Sequence, residues 1–189
     1  MGQQNAVQRV LSAAMFAADK HSAQRRKGAA AEPYINHLIE VAELVSAASA
    51  EPDTELVIAA LLHDSIEDAG VTKEELTERF GAEVAHLVVE LTDDKTLLKP
   101  ERKRLQIVNA PRKSVRAQAI KLADKISNLR AIRNSPPVGW TEERKAEYFA
   151  WAQRVVDGLT APNPVLKTEF DRMMSRQSSS TRSGRQSET

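Results

Sequence analysis

A run of seven apolar residues, Leu56 to Leu62, leads without a break into a dense cluster of ionisable side chains. The cluster is His63-Asp64-Ser65-Ile66-Glu67-Asp68. Such an apolar run has to be buried, whereas a carboxylate removed from water without a partner costs several kcal/mol. The fold must therefore bring compensating groups to the end of this buried segment, and a bound cation is the simplest such group.

Hydrophobic residues recur at helical spacing along most of the sequence. The segment 5–20 has the pattern of an amphipathic helix, and the segment 54–67 is predicted to form one continuous helix that contains the ionisable cluster up to Glu67. Thr72, Ser114 and Thr141 stand where helix N-caps are expected. Strand-like alternation and hairpin turns are missing. These patterns predict an all-α fold, a helical bundle of about seven to nine helices.

The length of 189 residues suits one domain with a single hydrophobic core. The last predicted helix begins at Asn163-Pro164 and ends near Met174. After it, the chain is rich in serine and arginine and has no large apolar residue. We expect one domain over residues 1–174 and a disordered tail over residues 175–189.

Composition argues against several classes of function. The chain has no cysteine, which removes disulfides, thiolate-bound zinc and cysteine nucleophiles and fits a cytoplasmic location. A net charge of +1 does not provide the basic field of a general nucleic-acid binder. No apolar stretch approaches the ~18 residues of a membrane span, and no signal peptide is evident. We expect no nucleic-acid or membrane partner; the sequence does not specify an oligomeric state.

Two other segments carry side chains that can complete a metal site with His63 and Asp64. His37 lies in the first turn of a predicted helix, and Asp124 lies in a helix whose other faces are apolar. Asp124 belongs to a polar stripe at positions i, i+3, i+4 and i+7 of that helix. The stripe consists of Lys121, Asp124, Lys125 and Asn128. A stripe of this kind requires either solvent or a polar cavity.

Each of these residues has an ordinary structural explanation when it is taken alone. A buried histidine is more often a hydrogen-bonded core residue than a ligand, which is our interpretation of His21, and His86 is predicted at the surface. An aspartate within a helix is usually exposed, and a basic run such as Arg25-Arg26-Lys27 is usually solvated. The conjunction of two histidines and four acidic residues favours a functional site over these explanations.

The motifs resemble the HD-domain metallohydrolases, whose pattern is His … His-Asp … Asp, and within them the hydrolase domain of the RelA/SpoT-homologue family. The resemblance covers about residues 6–160. Its main blocks are Pro33-Tyr34-Ile35-Asn36-His37, then 60–68, Leu91-Thr92-Asp93-Asp94-Lys95, and Lys121-Leu122-Ala123-Asp124-Lys125 with Asn128. The segments around Trp140 and Tyr148 resemble the small stand-alone alarmone hydrolases. Leu38 departs from the family, which usually has proline there.

The resemblance implies a metal site and two further catalytic groups. The implied metal ligands are His37, His63, Asp64 and Asp124, and the metal used by the family is manganese, Mn²⁺. Glu67 and Asp68 are implied to act as general base or acid on the attacking water and the leaving oxygen. Candidates for substrate contact are Arg26, Lys27, Asn128, Arg144 and Tyr148, and Lys99 is a further candidate.

The implied activity is removal of the 3′-pyrophosphate from guanosine tetra- or pentaphosphate (ppGpp or pppGpp), the alarmones of the stringent response, to give GDP or GTP. The residues themselves leave two alternatives to this activity. The same pocket would accept another phosphorylated nucleotide such as NADPH, with release of a single phosphate. The second alternative is a non-enzymatic helical binding module with a degenerate site. The presence of all four ligands and both acids argues against it, because a degenerate site would be expected to have lost one of them. From the length of the chain we expect no synthetase domain.

Overall fold

The computed structural model describes residues 5–51 and 53–183 of the chain. Within these ranges the fold is all-α, as predicted, with ten α-helices, of which one is only five residues long. The helices are α1 (Ala6–Lys20), α2 (Ile35–Ala47), α3 (Thr54–Leu62), α4 (Ser65–Ala69), α5 (Lys73–Phe80), α6 (Ala82–Leu91), α7 (Lys99–Asn109), α8 (Val115–Asn134), α9 (Glu142–Asp157) and α10 (Pro164–Ser183). A 3-10 turn, Ala110–Arg112, follows α7. None of the described helices is both long enough and apolar enough to cross a bilayer.

Side-chain caps explain where several of these helices begin. The hydroxyl oxygens of Thr72, Ser114 and Thr141 accept hydrogen bonds from the backbone N–H three residues later, at 3.1, 3.2 and 3.3 Å. Each bond satisfies one of the free N–H groups of the first helical turn, which stabilises the helix by about 1 kcal/mol. The three predicted caps are therefore confirmed.

The core lies around α2, α3 and α8. α3 packs against α1, α2 and α6, while α8 packs against α2, α6 and α10. Leu38, Ile58, Leu62, Ile120 and Leu129 are fully buried between these helices. Burial of each such side chain contributes roughly 1.5–3 kcal/mol. Because the same three helices carry the candidate ligands, the most tightly packed part of the molecule supports the site.

The segment 54–67 is not the single helix that its apolar pattern predicts. α3 ends at Leu62, His63 and Asp64 form a turn, and α4 starts at Ser65. The buried Ser65 hydroxyl donates to the Leu62 carbonyl at 2.6 Å, which satisfies one acceptor left free by the break. The break separates the histidine and aspartate from the regular helix and lets both side chains approach one point.

The C-terminal helix is longer than the sequence pattern predicts. α10 extends past Met174 to Ser183, and Asn163 caps it by accepting hydrogen bonds from the N–H groups of Val165 and Leu166. Residues 184–189 of the tail lie outside the described residues. The division at residue 174 between one domain and a disordered tail stays a prediction.

The loop between α1 and α2 is held at two points. The N–H of Arg26 donates to the Glu32 carbonyl at 2.8 Å inside the loop, and the N–H of Val138 donates to the Lys27 carbonyl at 3.2 Å. At Gly28 the loop approaches the segment after α8 so closely that a Cβ atom would lie 2.4 Å from the backbone oxygen of Ser135. Only glycine fits this approach, which places Arg26 and Lys27 at the mouth of the site.

Candidate active site

Three ligand-type side chains from distant parts of the chain converge in the interior. His37 comes from the first turn of α2, His63 from the turn after α3, and Asp124 from the middle of α8. Each offers one nitrogen or oxygen atom, and these atoms lie within 4.8 Å of one another. All three residues are buried. Two imidazoles with a carboxylate form a donor set that suits a divalent metal ion.

Asp64 lies beside this cluster. Its Oδ2 atom is 3.2 Å from Nε2 of His63 and 3.8 Å from Nε2 of His37. The Tyr34 hydroxyl donates to the same oxygen at 2.6 Å. Burial and the negative charge of Asp64 raise the pKa of Tyr34, so the phenol keeps its proton as a donor. Tyr34 thus orients Asp64, a contact that sequence reasoning missed although the residue stands in a recognised motif.

The proton on His63 is placed so that Nε2 is free to bind. Nδ1 of His63 lies 2.8 Å from the carbonyl oxygen of Ala60, which can only accept, so Nδ1 carries the hydrogen. Nε2 is buried and makes no hydrogen bond of favourable geometry within the described ranges. A buried polar atom without a partner costs free energy. A divalent metal would satisfy this nitrogen, so the residues present fit such an ion.

The ionisation of the cluster is also that of a metal site. Burial would raise the pKa of both carboxyls, but His63 beside Asp64 and Lys125 beside Asp124 outweigh this effect and hold both pKa values below their ordinary range. Burial lowers the pKa of His37, which favours the neutral imidazole. For His63, burial lowers the pKa, but the Asp64 and Asp124 carboxylates outweigh burial and raise the pKa to about 9. Without a cation Nε2 therefore holds a proton at neutral pH, and a bound metal ion would displace this proton. A positive charge is therefore favoured at this point, and a divalent cation would supply it.

Glu67 and Asp68 on α4 line a cavity that also reaches His63 and Asp64. Glu67 accepts hydrogen bonds from the backbone N–H of Asp93 and from Arg102, both at 3.2 Å. Burial, and next the charge of Asp93, raises the pKa of Glu67. Asp68 forms an ion pair with Lys95. The two acids thus have different surroundings, although they are neighbours in the sequence.

Polar stripes on two helices line the same cavity, whose volume is about 730 Å³. The α8 stripe is Lys121, Asp124, Lys125 and Asn128. The α7 stripe has the same spacing and consists of Lys99, Arg102, Lys103 and Gln106. The polar cavity that the α8 stripe requires is therefore present. The α7 stripe was missed because this helix buries none of its residues and has the composition of a surface helix, but its regular spacing was a usable signal.

Trp151 connects the two stripes. Its ring centroid lies 4.5 Å from Nζ of Lys125 and 4.6 Å from Nζ of Lys103, and its indole N–H donates to the Lys103 carbonyl at 3.0 Å. The side chain of Trp151 is buried. Cation–π attraction of roughly 0.5–2 kcal/mol gives the ring a second function, because it holds two ammonium groups at the cavity wall.

All five candidates for substrate contact line this cavity; they are Arg26, Lys27, Asn128, Arg144 and Tyr148. Arg26 donates to the side-chain oxygen of Asn128 at 3.2 Å, and Asn128 donates to Asp124 at 2.6 Å. A continuous set of hydrogen bonds therefore leads from the loop before α2 to the ligand cluster.

The α7 side of the cavity is rich in positive charge. Burial lowers the pKa of Lys99, and the charges of Lys27, Arg144 and Arg102 lower it further. The pKa of Lys103 is lowered in the same way by burial and by Lys99. Like charges that repel one another in a partly buried place are stabilised by an anion. This side of the cavity is therefore suited to a phosphate group.

Comparison with known proteins agrees with this geometry. The HD domain family matches residues 13–150. The Xenopus tropicalis protein named guanosine-3′,5′-bis(diphosphate) 3′-pyrophosphohydrolase MESH1 is 49% identical over 164 residues, covering 87% of this chain and 92% of that protein. The Homo sapiens protein of the same name is 50% identical over 158 residues, covering 84% of this chain and 88% of that protein.

The tertiary structure supports the same relationship. A solved structure of a metazoan orthologue of SpoT, described as hydrolysing ppGpp and acting in starvation responses, matches with a TM-score of 0.87 and 43% sequence identity. The match covers 94% of this chain and 98% of that one. The resemblance inferred from the motifs is confirmed. The chain belongs to the HD-domain family and, within it, to the SpoT-like group of hydrolases that includes the MESH1 proteins.

Proposed function

We propose that this protein is a metal-dependent pyrophosphohydrolase that removes the 3′-pyrophosphate from ppGpp or pppGpp and releases GDP or GTP. The observation that carries the proposal is the meeting, in one cavity, of a buried His–His–Asp cluster, two further acids and two polar stripes rich in lysine and arginine. Relatives that are 49–50% identical over most of both chains bear the name of this activity. The cysteine-free sequence supports a cytoplasmic location as part of the same proposal.

The metal in this proposal is Mn²⁺, held by His37, His63, Asp64 and Asp124. Two imidazoles and two carboxylates without a thiolate suit a six-coordinate ion of this kind. When bound, the ion supplies a Lewis acid for the reacting phosphate and activates water for attack. Tyr34 keeps the Asp64 oxygen directed at the cluster, and Lys125 with Asn128 holds the two oxygens of Asp124 at 2.9 and 2.6 Å.

Glu67 and Asp68 transfer the protons of the reaction. The water oxygen adds to the phosphorus atom attached to ribose O3′, the P–O3′ bond breaks, and one water proton finally resides on O3′ of the product. Burial raises the pKa of Glu67, which makes its carboxylate a better proton acceptor than an exposed glutamate. Asp68, paired with Lys95, is the second proton-transferring group. The assignment of base and acid between them is set by the position of the bound substrate.

The cavity is suited to a nucleotide that carries phosphates at both ends. Arg26 and Lys27 lie at the loop, where a guanidinium can stack on a base or pair with a phosphate. Asn128 faces the same space beside the ligand cluster. Arg144 and Lys99 lie in the cationic region near α7, and Tyr148 is half-buried beside Lys103. We assign the 3′-pyrophosphate to the ligand cluster and the 5′-phosphates to this cationic region.

Gly28→Ala is expected to weaken substrate binding more than it slows the chemical step. The added methyl group would meet the Ser135 backbone, so the loop that carries Arg26 and Lys27 must shift. Loss of about 1.4 kcal/mol of binding raises KM roughly tenfold. Steady-state kinetics with ppGpp measure the effect, and Ala29→Ser in the exposed part of the same loop is the control. An unchanged KM in Gly28→Ala would show that the position of this loop does not affect substrate binding.

The activity is tested with purified protein, Mn²⁺ and a choice of nucleotides. We expect release of pyrophosphate from ppGpp, and loss of this activity when EDTA removes the metal. Inorganic phosphate and pyrophosphate are measured separately, so that the bond that breaks is identified. Release of single phosphate from NADPH, with no action on ppGpp, would refute the alarmone assignment and support the other nucleotide activity. No turnover of either nucleotide by metal-loaded protein would refute both.

A further inference from the structure

A buried hydrogen-bond relay connects His37 to the surface behind the cavity. Nδ1 of His37 lies 2.8 Å from the Ser127 hydroxyl oxygen, and that hydroxyl lies 2.6 Å from Oε2 of Glu40. Arg130 donates to the other oxygen of Glu40 at 2.9 Å and to Glu169 at 3.0 Å. Ser127 is fully buried, whereas Glu40 and Arg130 are about one-third exposed. The relay therefore links the interior of the molecule to α10.

The ion pair at the outer end determines where each proton lies. Glu40 is paired with Arg130 and can only accept, so the Ser127 hydroxyl donates to it. The Ser127 oxygen must then accept from His37, which places the hydrogen of the imidazole on Nδ1. The lone pair of His37 is left on Nε2, the atom that faces Asp64 and Asp124 at 3.8 and 3.5 Å.

We propose that Ser127 and Glu40 are positioning residues that hold His37 in the tautomer and orientation in which Nε2 can bind the metal. The inference rests on the metal site of the proposed function and adds residues outside the ligand set. It assigns to α8 two functions in the site, since Asp124 is a ligand and Ser127, three residues later, orients another ligand from α2. An imidazole that donates its second N–H to a fixed acceptor is a better metal ligand.

His63 provides a comparison within the same cluster. Its Nδ1–H donates to a backbone carbonyl of its own helix, so its tautomer is set by local structure. For His37 the acceptor comes from another helix, 90 positions away in the sequence. The orientation of His37 therefore depends on how α2 and α8 pack, and the Glu40–Arg130 pair between these helices supports that packing.

The test uses Ser127→Ala and Glu40→Gln in the full chain, with Mn²⁺ alone as the probe. Loss of an outer-sphere partner of this kind weakens metal binding by roughly 10- to 100-fold. We expect a loss of this size in calorimetric titration of both variants. In metal-free protein labelled with ¹⁵N-histidine, NMR is expected to show neutral His37 with its hydrogen on Nδ1 in the wild type, and a mixture of the Nδ1–H and Nε2–H tautomers in the variants. The tautomer is a readout that general destabilisation would not move.

Ser49→Ala is the matched control. This variant removes a hydroxyl on the C-terminal side of α2 that donates to the Val45 carbonyl at 2.8 Å and has no contact with His37. Its Mn²⁺ affinity and histidine tautomers are expected to equal those of the wild type. If Ser127→Ala does not fold, the partly exposed Glu40→Gln decides the question alone. Wild-type affinity and an unchanged tautomer in a folded variant would overturn the inference.

The same titration separates this inference from the proposed function. A wild-type protein that does not bind Mn²⁺ would contradict the metal site itself, and with it the proposed pyrophosphohydrolase. A wild-type protein that binds Mn²⁺, with variants that bind it equally well, would contradict the relay alone.

Discussion

His63→Ala is expected to abolish Mn²⁺ binding and hydrolysis of ppGpp together. The side chain contributes one buried nitrogen that makes no hydrogen bond of favourable geometry within the described part of the chain, so its removal takes away a ligand atom of the cluster. The loss of affinity should exceed the ~100-fold that results from removal of an outer-sphere partner. Titration with Mn²⁺ and release of pyrophosphate from ppGpp measure the two consequences, and thermal unfolding with and without the metal shows whether the variant is folded.

His86→Ala is the control for this variant, because His86 is exposed on α6. We expect it to bind Mn²⁺ and hydrolyse ppGpp as the wild type does. In EDTA, His63→Ala should still unfold cooperatively, while the increase in Tm that Mn²⁺ produces in the wild type should be absent. If His63→Ala retained its Mn²⁺ affinity, the metal would have to be bound elsewhere and the site assignment would be wrong.

Glu67→Gln is expected to bind Mn²⁺ normally and to lose turnover by roughly 10²- to 10⁴-fold, the range typical of a proton-transferring group. Glutamine has the size of glutamate and can still accept a hydrogen bond from the N–H of Asp93. It cannot accept a proton from water at neutral pH. The expected result is a large decrease in kcat with a small change in KM, measured by release of pyrophosphate from ppGpp.

Glu147→Gln tests whether loss of any carboxylate near the cavity has this effect. Glu147 is exposed at the cavity rim on α9 and has no part in the proposed chemistry. Its kcat is expected to match that of the wild type. Loss of Mn²⁺ affinity in Glu67→Gln would make this glutamate a ligand rather than a proton-transferring group, and normal turnover would remove it from the mechanism.

The two expected phenotypes differ because one short segment contains two kinds of group. His63 and Asp64 lie in the turn after α3, whereas Glu67 lies on α4 and is held by Asp93 and Arg102. A continuous helix through this segment would present these side chains at different angles around one axis. The break at the turn brings the first pair to the cluster and leaves the second pair along the cavity wall.

Sequence reasoning succeeded where the deciding interactions are local. The caps at Thr72, Ser114 and Thr141 depend on residues three positions apart, and all three form as predicted. It failed at the break between α3 and α4, because the apolar pattern continues to Leu62 and no glycine or proline marks the turn. It also ended α10 too early, since serine and arginine can continue a helix that apolar periodicity no longer marks.

For the site, the motifs and the family resemblance named the residues of the ligand cluster together, but they did not give the distances or the hydrogen-bond partners of these side chains. The sequence also did not reveal that α7, which has the composition of a surface helix, provides Arg102 as a hydrogen-bond donor to Glu67. The acceptor for His37 was equally hidden, because a serine in the middle of a helix carries no special pattern. Ser127 became identifiable only when α8 was packed against α2.

The sequence by itself determined the all-α class, the starts of the helices that have a side-chain cap, and the chemical types of the candidate ligands. These properties follow from periodicity, capping and side-chain chemistry, which act over a few neighbouring residues. Only the tertiary structure decided how closely the ligand atoms of His37, His63 and Asp124 approach, that two polar stripes line one cavity, and that Ser127 orients His37. The physical reason is that these contacts join residues far apart in the chain, so their geometry is set by helix packing in the core rather than by local preference.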